Sequence, residues 1–273
     1  MKRNSVYLLI LPGLLFLMLF MIVPLFFTVV STLVQQGHFS FHGYWAMMKD
    51  RYFIAILFAT LKISLTTTAL CILIGFPVAY YIAKLPSRKK TMLIGLAVFP
   101  LLTSAVVRSF SWMIILGKNG MINQFLLHLH LASEPLKLLY TPTAIVIGLT
   151  HLFLPLMIIS LIGVMENISD DLVLAAESIG ASRSQAFRKI VFPLSTPGII
   201  MGSILVFVGS LTAYTTPALL GGKQQVLSVF LYQNTMTLND WYTASIIATI
   251  MMVITFVIVS LMNGAAGKLN PRG

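Results

Sequence analysis

The sequence predicts an all-α integral membrane protein with six transmembrane helices and both termini in the cytoplasm. Three observations carry this. The 273-residue chain is 58% apolar and only 9% charged, where soluble domains are about 25% charged. Six apolar stretches each reach the roughly 20 residues that a helix needs to cross a bilayer, in which backbone polar groups must be satisfied within the segment. Eighteen Lys and Arg face only seven Asp and Glu, and those cations fall unevenly on alternate loops. No ten-residue alternating pattern recurs, which argues against a barrel. A basic balance in such a chain reads as cytoplasmic-loop charge rather than affinity for nucleic acid. Cys71 stands alone inside an apolar run, so no disulfide framework is possible and the residue reads as a small buried hydrophobe.

The expected spans lie near 7–33, 57–83, 92–117, 142–165, 197–221 and 243–266, within a single transmembrane domain over 1–273. After Met1-Lys2-Arg3 the run from Ser5 to Val34 is too long for a signal-peptide core and ends without a small-x-small cleavage site, so it reads as an uncleaved first span. Thr141-Pro142 offers the fourth span a capping hydroxyl and a first-turn proline, and Gly221-Gly222 is expected to close the fifth. Pro24, Pro77, Pro155 and Pro217 predict kinks or close packing. One side carries Lys2, Arg3, Lys84, Arg88, Lys89, Lys90, Arg183, Arg188, Lys189, Lys268 and Arg272. The other has Lys49, Arg51, Lys118, Lys137 and Lys223. The positive-inside rule therefore places both termini and the loop 166–196 in the cytoplasm. Trp112 and Trp241 then fall near the outer interface and Tyr80-Tyr81 near the inner one.

The loop 166–196 is the least membrane-like stretch. Ser169-Asp170-Asp171 supplies a cap and first-turn acids, good helix formers follow, and Gly180 suits a left-handed stop. Ser182 can cap a second helix over Arg183 to Phe192, after which Pro193 and Pro197 lead into the fifth span. Leu172, Ala175, Ala176 and Ile179 can present a small apolar patch. Such a patch beside cations fits the groove of another protein, and it also fits an amphipathic hairpin lying on the membrane surface.

Ala175-Ala176, Gly180, Ile190 and Pro193 resemble, in spacing, the cytoplasmic "EAA loop" of binding-protein-dependent ABC importer permeases, E-A-A-x-x-x-G-x9-I-x-L-P. Two positions depart from it: Leu174 stands in place of the usual Glu, with Glu177 the nearest acid, and Phe192 in place of Leu. The stretches TLKISLTTTALCILIGFPVAYYIAKLP, VVRSFSWMIILGKNGMINQFL, YTPTAIVIGLTHLFLPLMI and TPGIIMGSILVFVGSLTAYTTPALLGG are similar to the spermidine/putrescine-type branch. The resemblance implies the type I importer permease fold in the bacterial inner membrane. It implies pairing with a second permease, by analogy a different chain, and with two cytoplasmic ATPases and an extracytoplasmic solute-binding protein. On this resemblance the hairpin is the coupling helix, with Ala175, Ala176, Glu177, Gly180, Ser182 and Arg183 as its ATPase contacts. The chain has no G-x-x-x-x-G-K-[ST] run, so ATP and its Mg belong to the partner ATPase and no cofactor is expected on this chain. Alternating access would follow from rotation of whole helices.

All seven acids, Asp50, Glu134, Glu166, Asp170, Asp171, Glu177 and Asp240, fall in loops or at span ends. Lys62 and Arg108 are the charges within spans; Lys62 is expected to snorkel to the outer edge. Arg108 is a candidate for the solute path with Thr103, Ser104 and Ser109; the competing reading is a structural anchor to carbonyls or to the partner permease. The resemblance implies a polyamine-like cation, whereas an intramembrane arginine suits a neutral or anionic solute. Two other classes fit less well. An intramembrane enzyme would need a nucleophile or metal set, yet His38, His42, His128 and His130 are loop residues and His151 stands alone. A secondary transporter would place acids at the midplane and show inverted repeats.

Overall fold

The computed structural model describes residues 11–35 and 38–269. Residues 7–10 of the expected first span, both chain termini, and Lys2, Arg3 and Arg272 of the charge count lie outside the described residues. By packing, the chain divides into two units: residues up to Ala55 with Phe230–Ile254, and Ile56–Val229 with the residues from Thr255 onward.

The first unit begins with α1 (Leu11–Leu33), long and apolar enough to cross a membrane. Every side chain from Leu11 to Phe27 is exposed, as expected of a helix whose solvent is lipid. A two-residue antiparallel pair follows, β1 (Val34–Gln35) with β2 (His38–Phe39), and then α2 (His42–Lys49). Thr32 and Tyr44 share a hydroxyl–hydroxyl hydrogen bond that ties α1 to α2. Phe230 packs edge-on against Tyr52 at 5.9 Å.

The second unit carries most of the remaining helices. α3 (Arg51–Ala83) starts in the first unit and runs through the second, with Pro77 inside it. After it come α4 (Ser87–Leu102), α5 (Ala105–Leu116), α6 (Met121–His128), α7 (Pro142–Met165) and α8 (Asp170–Ser178). α9 (Arg183–Thr212) is followed by α10 (Thr215–Leu220) and α11 (Leu227–Tyr232), and α12 (Trp241–Leu269) closes the chain. Among the described residues five helices are long and apolar enough to span a bilayer, and a sixth span results if the bent pair α4 and α5–α6 is counted as one.

Two expected spans are corrected. The stretch 92–117 is not one helix: it breaks at Thr103 and Ser104, both extended, and the helices on either side meet at 93°. Pro100, which has no N–H to give the preceding turn, weakens the end of α4, and Ser104 starts a new helix. The fifth helix covers Arg183 to Thr212 instead of 197–221. Its prolines do not separate it from the preceding helix, because a wider π-helical turn over Phe187–Val191 absorbs the donor that Pro193 lacks. Ala213 is extended and ends it, so Gly221-Gly222 close the short α10 instead, with Gly222 at φ +59°.

α7 and α9 pack closely. A Cβ on Gly202 would sit 2.6 Å from the Met157 sulfur, and one on Gly198 would sit 3.0 Å from the Ser160 carbonyl oxygen, so the two backbones approach as small residues allow between membrane helices. Cys71, Ala79, Met157, Leu161 and Val206 are fully buried between α3, α7 and α9. The far end is organised by Asn123, which is buried. Its amide donates to the Gly117 and Leu136 carbonyls, and its oxygen accepts from the Leu136 N–H, leaving no polar atom of that side chain idle. The Leu227 N–H donates to the Thr60 hydroxyl at 2.9 Å, and the Ser228 hydroxyl donates to the Ala213 carbonyl that ends α9.

Candidate functional site

Two places hold the residues singled out from the sequence. The first is the hairpin between α7 and α9. The Ser169 hydroxyl accepts from the Asp171 N–H at the start of α8, where Asp170 and Asp171 complement the positive end of the helix dipole. At the other end the Ala181 N–H donates to the Ala176 carbonyl and the Gly180 N–H to the Glu177 carbonyl, both at 3.0 Å. With Gly180 at φ +90° this is the paired-bond stop in which glycine avoids the left-handed penalty. One residue later, Ser182 and Gln185 cap each other reciprocally and α9 begins. Only Ala181 stands between the two capped ends, so backbone geometry fixes the angle of the hairpin and leaves no slack loop.

The hairpin shows apolar side chains to the outside. Leu172, Leu174 and Ala175 are exposed and Ile179 is 87% exposed, while Val173, Ala176 and Glu177 turn partly inward. Gly180, Ser182 and Arg183 are exposed at the tip. Arg183 Nε approaches Glu177 Oε1 at 3.7 Å, so the acid one turn after Leu174 is held at the tip of the hairpin. The six residues named from the sequence are thus together on the hairpin, and Leu174, at the position of the usual glutamate, joins the exposed apolar patch.

Contacts to the rest of the unit were not legible from sequence. Lys84 Nζ donates to Asp170 Oδ1 at 2.9 Å and lies 4.9 Å from the centre of the Tyr80 ring. That hydrogen bond, above all, raises the Lys84 ammonium above the ordinary lysine pKa. Lys90 meets Glu166 at 3.0 Å. Phe187 is set edge-on between Phe76 and Tyr80 at 5.7 and 5.5 Å. A cleft of about 680 Å³ opens beside α8, lined by Tyr80, Lys84, Val173, Glu177 and Phe187 among others.

The second place is the break between α4 and α5. Arg108 is buried, and its guanidinium donates to the Pro100 carbonyl and, at 3.1 Å, to the Thr103 hydroxyl. The Thr103 hydroxyl in turn donates to Pro100, and the buried Ser109 hydroxyl to Ala105. Ser104 is exposed at the bend. Arg108 thus sits at the C-terminal end of α4, where free carbonyls and the negative end of the dipole accept a cation. The sequence signal for this was a proline followed by Thr-Ser and, four residues on, an arginine. Trp112, one turn further, donates its indole N–H to His151 Nδ1 of α7 at 3.1 Å.

Residues 9–272 match the family described as binding-protein-dependent transport system inner membrane component. The chain is 32% identical over 218 residues to the spermidine/putrescine transport system permease protein of Escherichia coli (strain K12), covering 78% of this chain and 79% of that protein. It is 30% identical over 218 residues to the protein of the same description from Haemophilus influenzae, covering 77% and 76%. To the molybdenum transport system permease protein of Mycobacterium bovis it is 26% identical over 226 residues, covering 81% and 83%. A chain of the bacterial alginate ABC transporter, crystallised in complex with an alginate pentasaccharide-bound periplasmic protein, superposes with a TM-score of 0.74. The sequence identity is 18%, and the superposition covers 100% of this chain and 97% of that one. These relatives are transport permeases, and the structural likeness extends over the whole fold.

Proposed function

The chain belongs to the family of binding-protein-dependent transport system inner membrane components, and on that premise we propose that it is one permease subunit of an ATP-driven importer whose cargo is a polyamine. Both termini and the hairpin face the cytoplasm, as the cation count requires. The chain has no phosphate-cradling run, so ATP and Mg are held by two partner ATPases. A second permease completes the membrane path, and an extracytoplasmic protein delivers the solute. This chain folds as a single transmembrane domain in that assembly.

The observation that carries the reading is the hairpin. It combines an exposed apolar patch, Leu172, Leu174, Ala175 and Ile179, with two ends fixed by caps. A helix presented rigidly to a partner's groove transmits displacement instead of absorbing it. Ala175, Ala176, Glu177, Gly180, Ser182 and Arg183 form or position this surface. ATP-driven closure of the ATPases would move α7 and α9 through it and open the membrane path on the far side.

Polyamine as cargo rests on the spermidine/putrescine relatives. The intramembrane arginine is compatible with a cationic solute because its charge is met by the carbonyl end of α4 and is not presented bare. Thr103, Ser104 and Ser109 then line or brace the path beside it. The molybdenum relative supports a second reading, the same architecture carrying an anion. The test is the ATPase activity of the assembly reconstituted with its own binding protein. Spermidine or putrescine should stimulate it and molybdate should not; stimulation by molybdate alone would replace the first reading with the second.

A further inference from the structure

The hairpin is gripped from a direction that its own connections do not supply. Chain continuity ties it to α7 and α9 alone. Yet α3 and the start of α4, distant in sequence, hold it at three points. Lys84 reaches Asp170 at 2.9 Å and Lys90 reaches Glu166 at 3.0 Å, so two acids bracketing the entry to α8 meet two lysines bracketing the entry to α4. Phe187 is wedged edge-on against Phe76 and Tyr80 and packs against a buried cluster that includes Ile82 and Met165.

Exposed ion pairs contribute little to stability, because water screens them and long side chains lose freedom in forming them. Their effect here is geometric. One pair would leave the hairpin free to swivel, whereas two pairs at separate points around an aromatic wedge fix its orientation. α4 carries any such displacement to its far end, where Arg108 bonds across the break into α5. Packed elements of this kind move as bodies.

We infer that Lys84, Lys90 and Phe187 are positioning residues of a brace that makes α3 and α4 follow the hairpin, so that ATPase movement enters the membrane through four helices and not only through α7 and α9. The inference rests on the coupling role proposed above. It assigns a share in coupling to residues outside the hairpin loop.

The test uses the complete assembly in proteoliposomes, with Lys84→Asp and Asp170→Lys made singly and together. The readouts are solute moved per ATP hydrolysed and the ATPase retained on purification. Each single reversal should lower solute per ATP about threefold or more, the low end for coupled charges in contact, with ATPase retained, and the double swap should restore it. Phe187→Leu, which removes the ring and keeps an apolar side chain, should lower the same ratio. Single reversals that leave the ratio unchanged, or a loss that the swap does not repair, would overturn the brace. A wild-type assembly that retains no ATPase would instead overturn the coupling role beneath it.

Discussion

The hairpin and the break between α4 and α5 use charge in opposite ways. At the hairpin the charged groups lie at the surface and pair with one another, Lys84 with Asp170, Lys90 with Glu166 and Arg183 with Glu177, while leucine and isoleucine face outward. At the break a single cation is buried and its partners are the Pro100 carbonyl and the Thr103 hydroxyl. The first arrangement leaves an apolar surface exposed. The second closes a defect within the chain's own backbone. Charge at the hairpin therefore sets orientation, and charge at the break sets local stability.

That contrast fixes the order of expected effects. Arg108→Met should cost the most, about 1.5–3 kcal/mol, because the charge-assisted hydrogen bonds to the Pro100 carbonyl and the Thr103 hydroxyl are lost. Thermal unfolding in detergent measures it. Arg108→Lys should recover only part, since the ammonium keeps the charge but sits on a different stem from the guanidinium nitrogen that meets the Pro100 carbonyl and the Thr103 hydroxyl. Gly180→Leu comes next. A Cβ there meets nothing within 4 Å, so its cost is the left-handed backbone alone, about 1–2 kcal/mol, and Gly180→Asn should be milder because asparagine tolerates that conformation. Insertion should remain intact while transport per ATP falls; normal uptake with Gly180→Leu would erase the distinction between the two regions.

The smallest effect concerns pH. Lys84 has its folded-state pKa raised by Asp170, so its contribution is fully present below the ordinary lysine value and is lost only as pH rises through the raised one. Between neutral and mildly alkaline pH the Lys84→Met variant should therefore differ from the parent by a constant fraction of a kcal/mol, about 0.2–1, and less at high salt. A difference that vanished already near neutrality would contradict the pairing.

The two regions also differ in how far they could be read from sequence. The hairpin was legible because its determinants are local: Ser169, Gly180, Ser182 and Gln185 each act within a few residues, and capping rules need nothing more. The break was not, because residues 92–117 form one apolar run, and a proline such as Pro100 within an apolar run does not by itself separate a kinked span from a broken one. Its stabilising contact, Arg108 to the Pro100 carbonyl, exists only once the helix is already broken. The continuous α9 was hidden for a related reason. Pro193 and Pro197 read as a stop, and the π-helical turn that accommodates Pro193 has no sequence mark. The brace from Lys84, Lys90 and Phe187 depends on α3 lying beside the hairpin, which no local pattern encodes.

The central claim is that the exposed face of α8 is where the driving ATPase sits. Cys71 is the chain's single cysteine and is buried, so Ile179→Cys gives one reactive thiol at that face. Its labelling by a water-soluble maleimide should be fast in the isolated permease and strongly suppressed once the ATPase is bound. Equal labelling with and without the ATPase would contradict the account.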